Sequence, residues 1–153
     1  MKRIILHWTA GQYKPNAHEL ECYHFLIDGF GNIHKGIFSV KDNENCTDGI
    51  YAHHCGGGNT GSIGVTVCAM LNKDFPVKPI QLETMYRLCA KLCKEYNIPI
   101  STETIITHHR FSLENPKVAT KGKIDLYYLD KNTIVNKIKW YSDNMEIYNG
   151  TRT

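Results

Sequence analysis

Between Thr107 and Leu129 the chain carries Thr-His-His-Arg-Phe and then Lys-Gly-Lys-Ile-Asp-Leu. His108 and Asp125 are of types that ligate zinc, and Lys123 stands two residues before the aspartate. In an extended segment side chains repeat every second residue, so Lys123 and Asp125 are expected to point the same way. An ammonium beside a metal-binding carboxylate suits one task, the stabilisation of negative charge developing on an oxygen near the metal. Two ligands leave a site incomplete. The third candidate is His7, at the far end of the chain, so the chemistry depends on a fold that joins these segments.

The elements that must do this are legible in outline. Arg3-Ile4-Ile5-Leu6 is a short apolar run, read as a strand buried on both faces, and it delivers His7 at its carboxyl end. Ligands of open α/β sheets gather beyond such ends, although a lone histidine there is more often structural. One helical turn is expected over Ala17–Leu20. Tyr23–Ile27 has strand composition, Asp28–Asn32 reads as a hairpin turn, and Ile33–Val40 is the return strand. Ser62–Met70 is the best central-strand candidate. Gln81–Tyr96 is a helix with Leu82, Met85, Tyr86, Cys89, Leu92 and Cys93 on one side, ended by Asn97-Ile98-Pro99. Thr104–Thr107 is a strand leading into His108, and Asn132–Tyr141 a closing helix that buries Ile134, Val135, Ile138 and Tyr141. The tail from Ser142 is polar and read as loose. Strands alternating with helices, plus one hairpin, give an α/β class: a single domain over residues 1–153 with a central mixed β-sheet flanked by helices.

Composition narrows the function classes. At 153 residues, 42% apolar and 22% charged, the chain is long enough for one real core and ordinary for a globular protein. A formal net charge of +3 is mild, fitting either attraction to an anionic wall polymer or simple solubility. No segment approaches the roughly 18 apolar residues of a membrane span, and the start lacks a signal peptide's apolar run. A cytoplasmic product with its six cysteines as free thiols is therefore expected, with Cys89 and Cys93 one turn apart as small core residues. The sequons at Asn45 and Asn149 are then chance matches. The segment Ala52–Asn59, with His53, His54 and three glycines, reads as a mobile loop. It lacks the lysine and spacing of a phosphate-binding loop, which excludes nucleotide binding; no nucleic-acid partner and no membrane insertion are expected, and a monomer is.

Four motifs occur in order: Ile-Ile-Leu-His-Trp-Thr-Ala-Gly from Ile4, Tyr-His-Phe-Leu-Ile-Asp-Gly-Phe-Gly from Tyr23, His-Cys-Gly-Gly-Gly-Asn-Thr-Gly-Ser-Ile-Gly-Val from His54, and Thr-His-His-Arg-Phe with Gly-Lys-Ile-Asp. Over about residues 2–130 this resembles the type 2 N-acetylmuramoyl-L-alanine amidases, which share their fold with peptidoglycan recognition proteins. The resemblance implies a zinc ion held by His7, His108 and Asp125, a ligand count that leaves one position for water. It places the catalytic roles on Tyr23 and Lys123. His54 and Asn59 fall on a loop bordering the family's substrate groove, where they either contact substrate or order the loop; Trp8 either walls the groove or packs. His109 is the rival to His108 and should point the other way if the strand continues. His18, His24, His34 and His53 are left structural or exposed.

The implied activity is zinc-dependent hydrolysis of the amide between N-acetylmuramic acid and L-alanine in bacterial peptidoglycan. Lacking a leader and a wall-binding domain, the chain resembles a small phage-type endolysin that reaches the wall after release from the cytoplasm. The rival is a non-catalytic peptidoglycan-binding module; such relatives typically lose a zinc ligand, and here all three candidates are present. Two departures stand out. Recycling amidases carry a glutamate in the central strand, where this chain reads Gly64-Val65-Thr66-Val67, and the segment Gln12–Cys22 is too short for the long first helix of many members.

Overall fold

The apolar runs become the strands of one mixed sheet in a computed structural model, which describes residues 1–145. Strands β1 (Arg3–Trp8), β2 (Phe25–Ile27), β3 (Ile33–Lys35), β4 (Ser62–Val67) and β5 (Ile105–Thr107) lie in the order β3-β2-β4-β1-β5. Among the described residues only the β2–β3 hairpin is antiparallel; β4 pairs with both β1 and β2 in parallel, and β1 with β5. Helices α1 (Ala17–Cys22), α2 (Pro79–Glu95), α3 (His108–Glu114) and α4 (Lys131–Asp143) complete the α/β domain.

Side-chain alternation divides the sheet into two unlike faces. Ile4, Leu6 and Trp8 of β1 with Ile63, Val65 and Val67 of β4 enter the main core, where Met85, Cys89 and Leu92 of α2 and Ile134 and Ile138 of α4 meet them. Each such buried aliphatic side chain contributes about 1.5–3 kcal/mol. Positions of opposite parity, Ile5 and His7 of β1 and Gly64 and Thr66 of β4, face the other way. There Ile5 joins a small cluster with Cys55, Ile106 and Phe111.

Helix α2 starts two residues before the expected Gln81, because Pro79 occupies its first turn, where the missing N–H is no loss. Gln81 is buried, and its amide donates to Cys68 O at 3.0 Å and Ile27 O at 3.3 Å, tying the helix to the ends of β4 and β2. Helix α4 buries the four expected residues and runs past Ser142 to Asp143. The rest of the expected loose tail, residues 146–153, and the Asn149 sequon lie outside the described residues. All six cysteines are free thiols. Among the described residues no helix is long and apolar enough to cross a membrane.

Several boundaries differ from the expectations. The return strand stops at Lys35, because Gly36 N turns to His24 O and Ile37 N to Leu20 O; Val40–Glu44 is then a 3-10 helix. The central strand ends at Val67 rather than Met70. Tyr23 does not open β2; it caps α1 in an extended conformation, its N–H bonded to Glu19 O at 3.2 Å. Strand β1 continues through His7 to Trp8, since both pair in register with β4. The glycine-rich loop is pinned rather than mobile. Cys55 N donates to Asn59 Oδ1 at 2.8 Å, and Gly57, at φ 77°, lies so close to Val118 O that a side chain there would collide with it.

Candidate active site

His7 reaches the polar face of the sheet by strand parity, one register step from the surface end of β1. His108 arrives differently from the expectation. The strand does not continue beyond Thr107, whose hydroxyl accepts from Arg110 N at 3.2 Å and starts α3, so His108 is the first residue of a helix. The two-residue alternation invoked for His108 and His109 therefore does not apply. Helical geometry separates their directions instead, and His108 is buried while His109 sits half-buried beside Tyr127, ring centroids 6.2 Å apart. Asp125 begins a turn rather than ending a strand, with its main-chain oxygen accepting from His109 N at 3.4 Å.

These elements bring three donor atoms to one point. His7 Nδ1 lies 3.0 Å from His108 Nδ1 and 3.4 Å from Asp125 Oδ2, and His108 Nδ1 lies 3.5 Å from the same oxygen. The three residues are buried, with ligand atoms within 4.8 Å of one another. Two imidazole nitrogens and a carboxylate are a donor set suited to a divalent transition-metal ion. The far nitrogen of His108, Nε2, is buried without a hydrogen-bond partner, so this ring finds its polar company only on the Nδ1 side. The residues fit a metal ion.

The electrostatics agree. Burial lowers His7 from 6.5 to about 4 against the hydrogen bond to Asp125, with the charge of His108 and then Lys123 also disfavouring protonation. Burial opposes ionisation of Asp125, yet the imidazoles of His108 and His7 beside it hold its carboxyl well below the usual carboxylate range. At neutral pH the cluster thus holds a neutral His7 and an ionised Asp125.

The remaining predicted residues divide. The Tyr23 ring packs 5.2 Å from that of His7, and burial, followed by the charge of Asp125, keeps its phenol protonated far beyond the ordinary range. Lys123 is exposed at the rim, close enough for its charge to act on His7 and Cys55. His54 is not at the surface of a groove: it lies behind His7, Nδ1 to His7 Nε2 at 3.0 Å, with its own Nε2 3.3 Å from Ser62 O. Asn59 orders its loop, holding Cys55 N and lending its carbonyl to Asn43. Trp8, of opposite parity to His7, packs in the main core with its ring 6.5 Å from Tyr127. Thr66, the register partner of His7, stands on the central strand where a carboxylate is absent.

Sequence reasoning missed two features. A cleft of about 580 Å³ is lined by His109, Arg110, Leu113, Tyr127 and Tyr128, among others, and by none of His7, His108 and Asp125. Nothing in the spacing of two adjacent tyrosines after a turn distinguishes cleft from surface. The second is the buried pair His24 and Asn43. Gly64 N donates to His24 Nδ1 at 2.9 Å, His24 Nε2 meets Asn43 Oδ1 at 3.0 Å, and Asn43 Nδ2 donates to Ala52 O at 3.0 Å. Burial lowers His24 to about 4.

A parallel-centred sheet thus carries, at its carboxyl end, a buried two-histidine, one-aspartate cluster that could hold a metal ion. The sequence profile of the N-acetylmuramoyl-L-alanine amidase family matches residues 1–125, and the chain belongs to that family and is an enzyme of its class. No curated protein matches at the sequence level. Among solved structures, the Staphylococcus aureus hydrolase AmiA, seen with its ligand, superposes with a TM-score of 0.67 at 16% identity, over 95% of this chain and 74% of that one. A mutant endolysin from Bacillus subtilis gives 0.55 at 18% identity, over 90% and 84%. The E. coli amidase AmiD, in complex with anhydro-N-acetylmuramic acid-L-Ala-D-gamma-Glu-L-Lys, gives 0.51 at 18%, over 71% and 48%. At these identities the likeness is one of fold.

Proposed function

We propose that the chain is a zinc-dependent amidase that cleaves between N-acetylmuramic acid and L-alanine in peptidoglycan, acting as a phage-type endolysin. The observation that carries the metal reading is the convergence of His7 Nδ1, His108 Nδ1 and Asp125 Oδ2. The fold shared with a B. subtilis endolysin supports the biological role, and AmiD with its bound muropeptide supports the substrate. Zinc held by these three residues would supply a Lewis acid that acidifies water and polarises a carbonyl.

The chain's own residues do the rest. Asp125 stays ionised and His7 stays neutral, so the cluster offers one negative charge and an uncharged imidazole at neutral pH. Lys123, exposed on the rim, places positive charge where the amide oxygen gains electrons. Tyr23, protonated and packed on His7, presents a hydroxyl that donates to the reacting oxygen or the leaving nitrogen. The central strand supplies no base beside His7, because Thr66 cannot take a proton at neutral pH.

The test is metal content together with release of peptide amines from cell-wall material, with and without chelator. One equivalent of zinc per chain and chelator-sensitive release are expected, with both lost in Asp125→Ala. Lys123→Ala should keep the zinc and lose roughly 100-fold in turnover. Wall binding without amine release would instead make the chain a recognition module, and activity surviving Asp125→Ala would end the metal reading.

A further inference from the structure

Behind the metal-ligand cluster lies a line of buried imidazoles whose protons the geometry assigns one by one. It starts at Ser62 O, a carbonyl, which only accepts. His54 Nε2, 3.3 Å away, must therefore carry the ring proton. With that proton on Nε2 and no carboxylate in hydrogen-bond reach of the buried ring, His54 presents Nδ1 as an acceptor. His7 Nε2 sits 3.0 Å from that bare nitrogen and must be the donor. With its own proton on Nε2, His7 turns Nδ1 toward the ligand cluster, 3.0 Å from His108 Nδ1 and 3.4 Å from Asp125 Oδ2.

We infer that His54 is a positioning residue: through one hydrogen bond it holds His7 in the single tautomer that can ligate a metal through Nδ1. The fold protects this arrangement on two sides. Gly64 leaves the space the ring needs, since a Cβ there would lie 2.5 Å from His54 Cγ. His24, whose ring is 5.7 Å away, does not compete for His54, because its own nitrogens are taken by Gly64 N and Asn43 Oδ1. Nitrogens of metal-ligating histidines that face away from the ion are commonly held in this way, and losing the holder weakens metal binding roughly 10–100-fold. The holder here is itself a histidine, anchored on the backbone of the central strand. It thus connects β4 to a ligand on β1.

The inference rests on the proposed metal site, and its test separates the two. In the metal-free full chain labelled with nitrogen-15, long-range proton–nitrogen spectra report which ring nitrogen of each histidine is protonated. His54 and His7 should both read as Nε2–H. Zinc affinity, measured by competition with a chromophoric chelator, should fall about 10–100-fold in His54→Leu, with His7 becoming a mixture of tautomers. His54→Asn, which returns an acceptor near the Nδ1 position, should recover most of the affinity. A wild-type His7 that is Nδ1-protonated overturns the inference even where the leucine variant fails to fold. So does a folded His54→Leu with unchanged His7 tautomer and zinc affinity. If the wild type takes up no zinc, the metal reading fails alone, and the metal-free spectra still decide the role of His54.

Discussion

The two faces of the sheet are built on opposite principles. On one, Ile4, Leu6, Ile63, Val65 and Val67 meet the apolar stripes of α2 and α4, and cohesion comes from area removed from water. On the other, His7, His54, Gly64 and Thr66 sit equally buried, but what holds them is a set of directed hydrogen bonds ending on backbone groups. The first face tolerates any residues of the right volume; the second depends on which atom carries each proton. The contrast separates stability from activity along a single strand, since Leu6 and His7 are adjacent on β1 and serve different ends.

The sharpest test of that separation is a pair of substitutions. Asp125→Asn keeps the shape of the site and removes its charge. It should abolish wall hydrolysis by more than the roughly 100-fold that disturbing a ligand's partner costs, while the melting temperature stays within a few degrees of wild type. Ile138→Ala, in α4, should do the reverse. The lost methylenes and the cavity left in the core cost about 2–5 kcal/mol by denaturant unfolding, while activity per folded molecule is unchanged. If Asp125→Asn unfolds the chain, or Ile138→Ala slows turnover of the folded enzyme, the two faces are not independent.

The same contrast explains what was legible in the sequence. The apolar face announces itself: α4 buries the four residues its spacing selects, and α2 most of its own, because 3.6-residue periodicity is written directly into residue type. The polar face has no period. His7, His108 and Asp125 could be grouped only because four short motifs follow a known order, and the elements delivering them were partly misread. His108 was expected from a strand and comes from a helix, since Thr107 acts as an N-cap, a role its hydroxyl takes only when the chain turns there. For Trp8, next to His7, the sequence allows either a groove wall or packing; parity puts it in the core. His54 looked like a loop residue at a groove and lies behind His7, because the loop folds inward over Gly64. Spacing along the chain does not encode such depth.

Titration offers a smaller effect that belongs to the polar face alone. Burial lowers His24 from 6.5 to about 4, so between these values the unfolded chain binds a proton that the folded chain refuses. Stability then rises with pH across that window. Its contribution is complete above about 6.5 and is lost as the pH falls toward about 4, by roughly 3 kcal/mol for a group shifted this far. His7 and His54, lowered in the same direction, add to the slope in the metal-free protein. Urea unfolding midpoints measured from pH 7 down to 4 should therefore fall steadily. A profile flat from 6.5 to 4.5 would mean that these rings are protonated in the folded state and that the hydrogen-bond line behind the site is wired differently.

The smallest expected effect concerns how Tyr23 is held. Helix α1 has only six residues, too few to persist through propensity, and its single buried residue is Glu19. It survives through a reciprocal cap: Glu19 N donates to Asn16 Oδ1 at 2.8 Å, and Asn16 N donates to Glu19 Oε1 at 3.0 Å. Tyr23 closes the other end of the same helix, so the cap and the hydroxyl proposed for catalysis share one short lever. Asn16→Ala removes half of the reciprocal pair and should cost about 1 kcal/mol of stability. On a face held by packing, a change of that size would leave turnover untouched. Here it should lower the turnover rate a few-fold with zinc content unchanged, and Asn16→Asp, which preserves the acceptor, should restore it. Equal rates in all three proteins would show that the ring contact between Tyr23 and His7 positions the tyrosine without help from its helix.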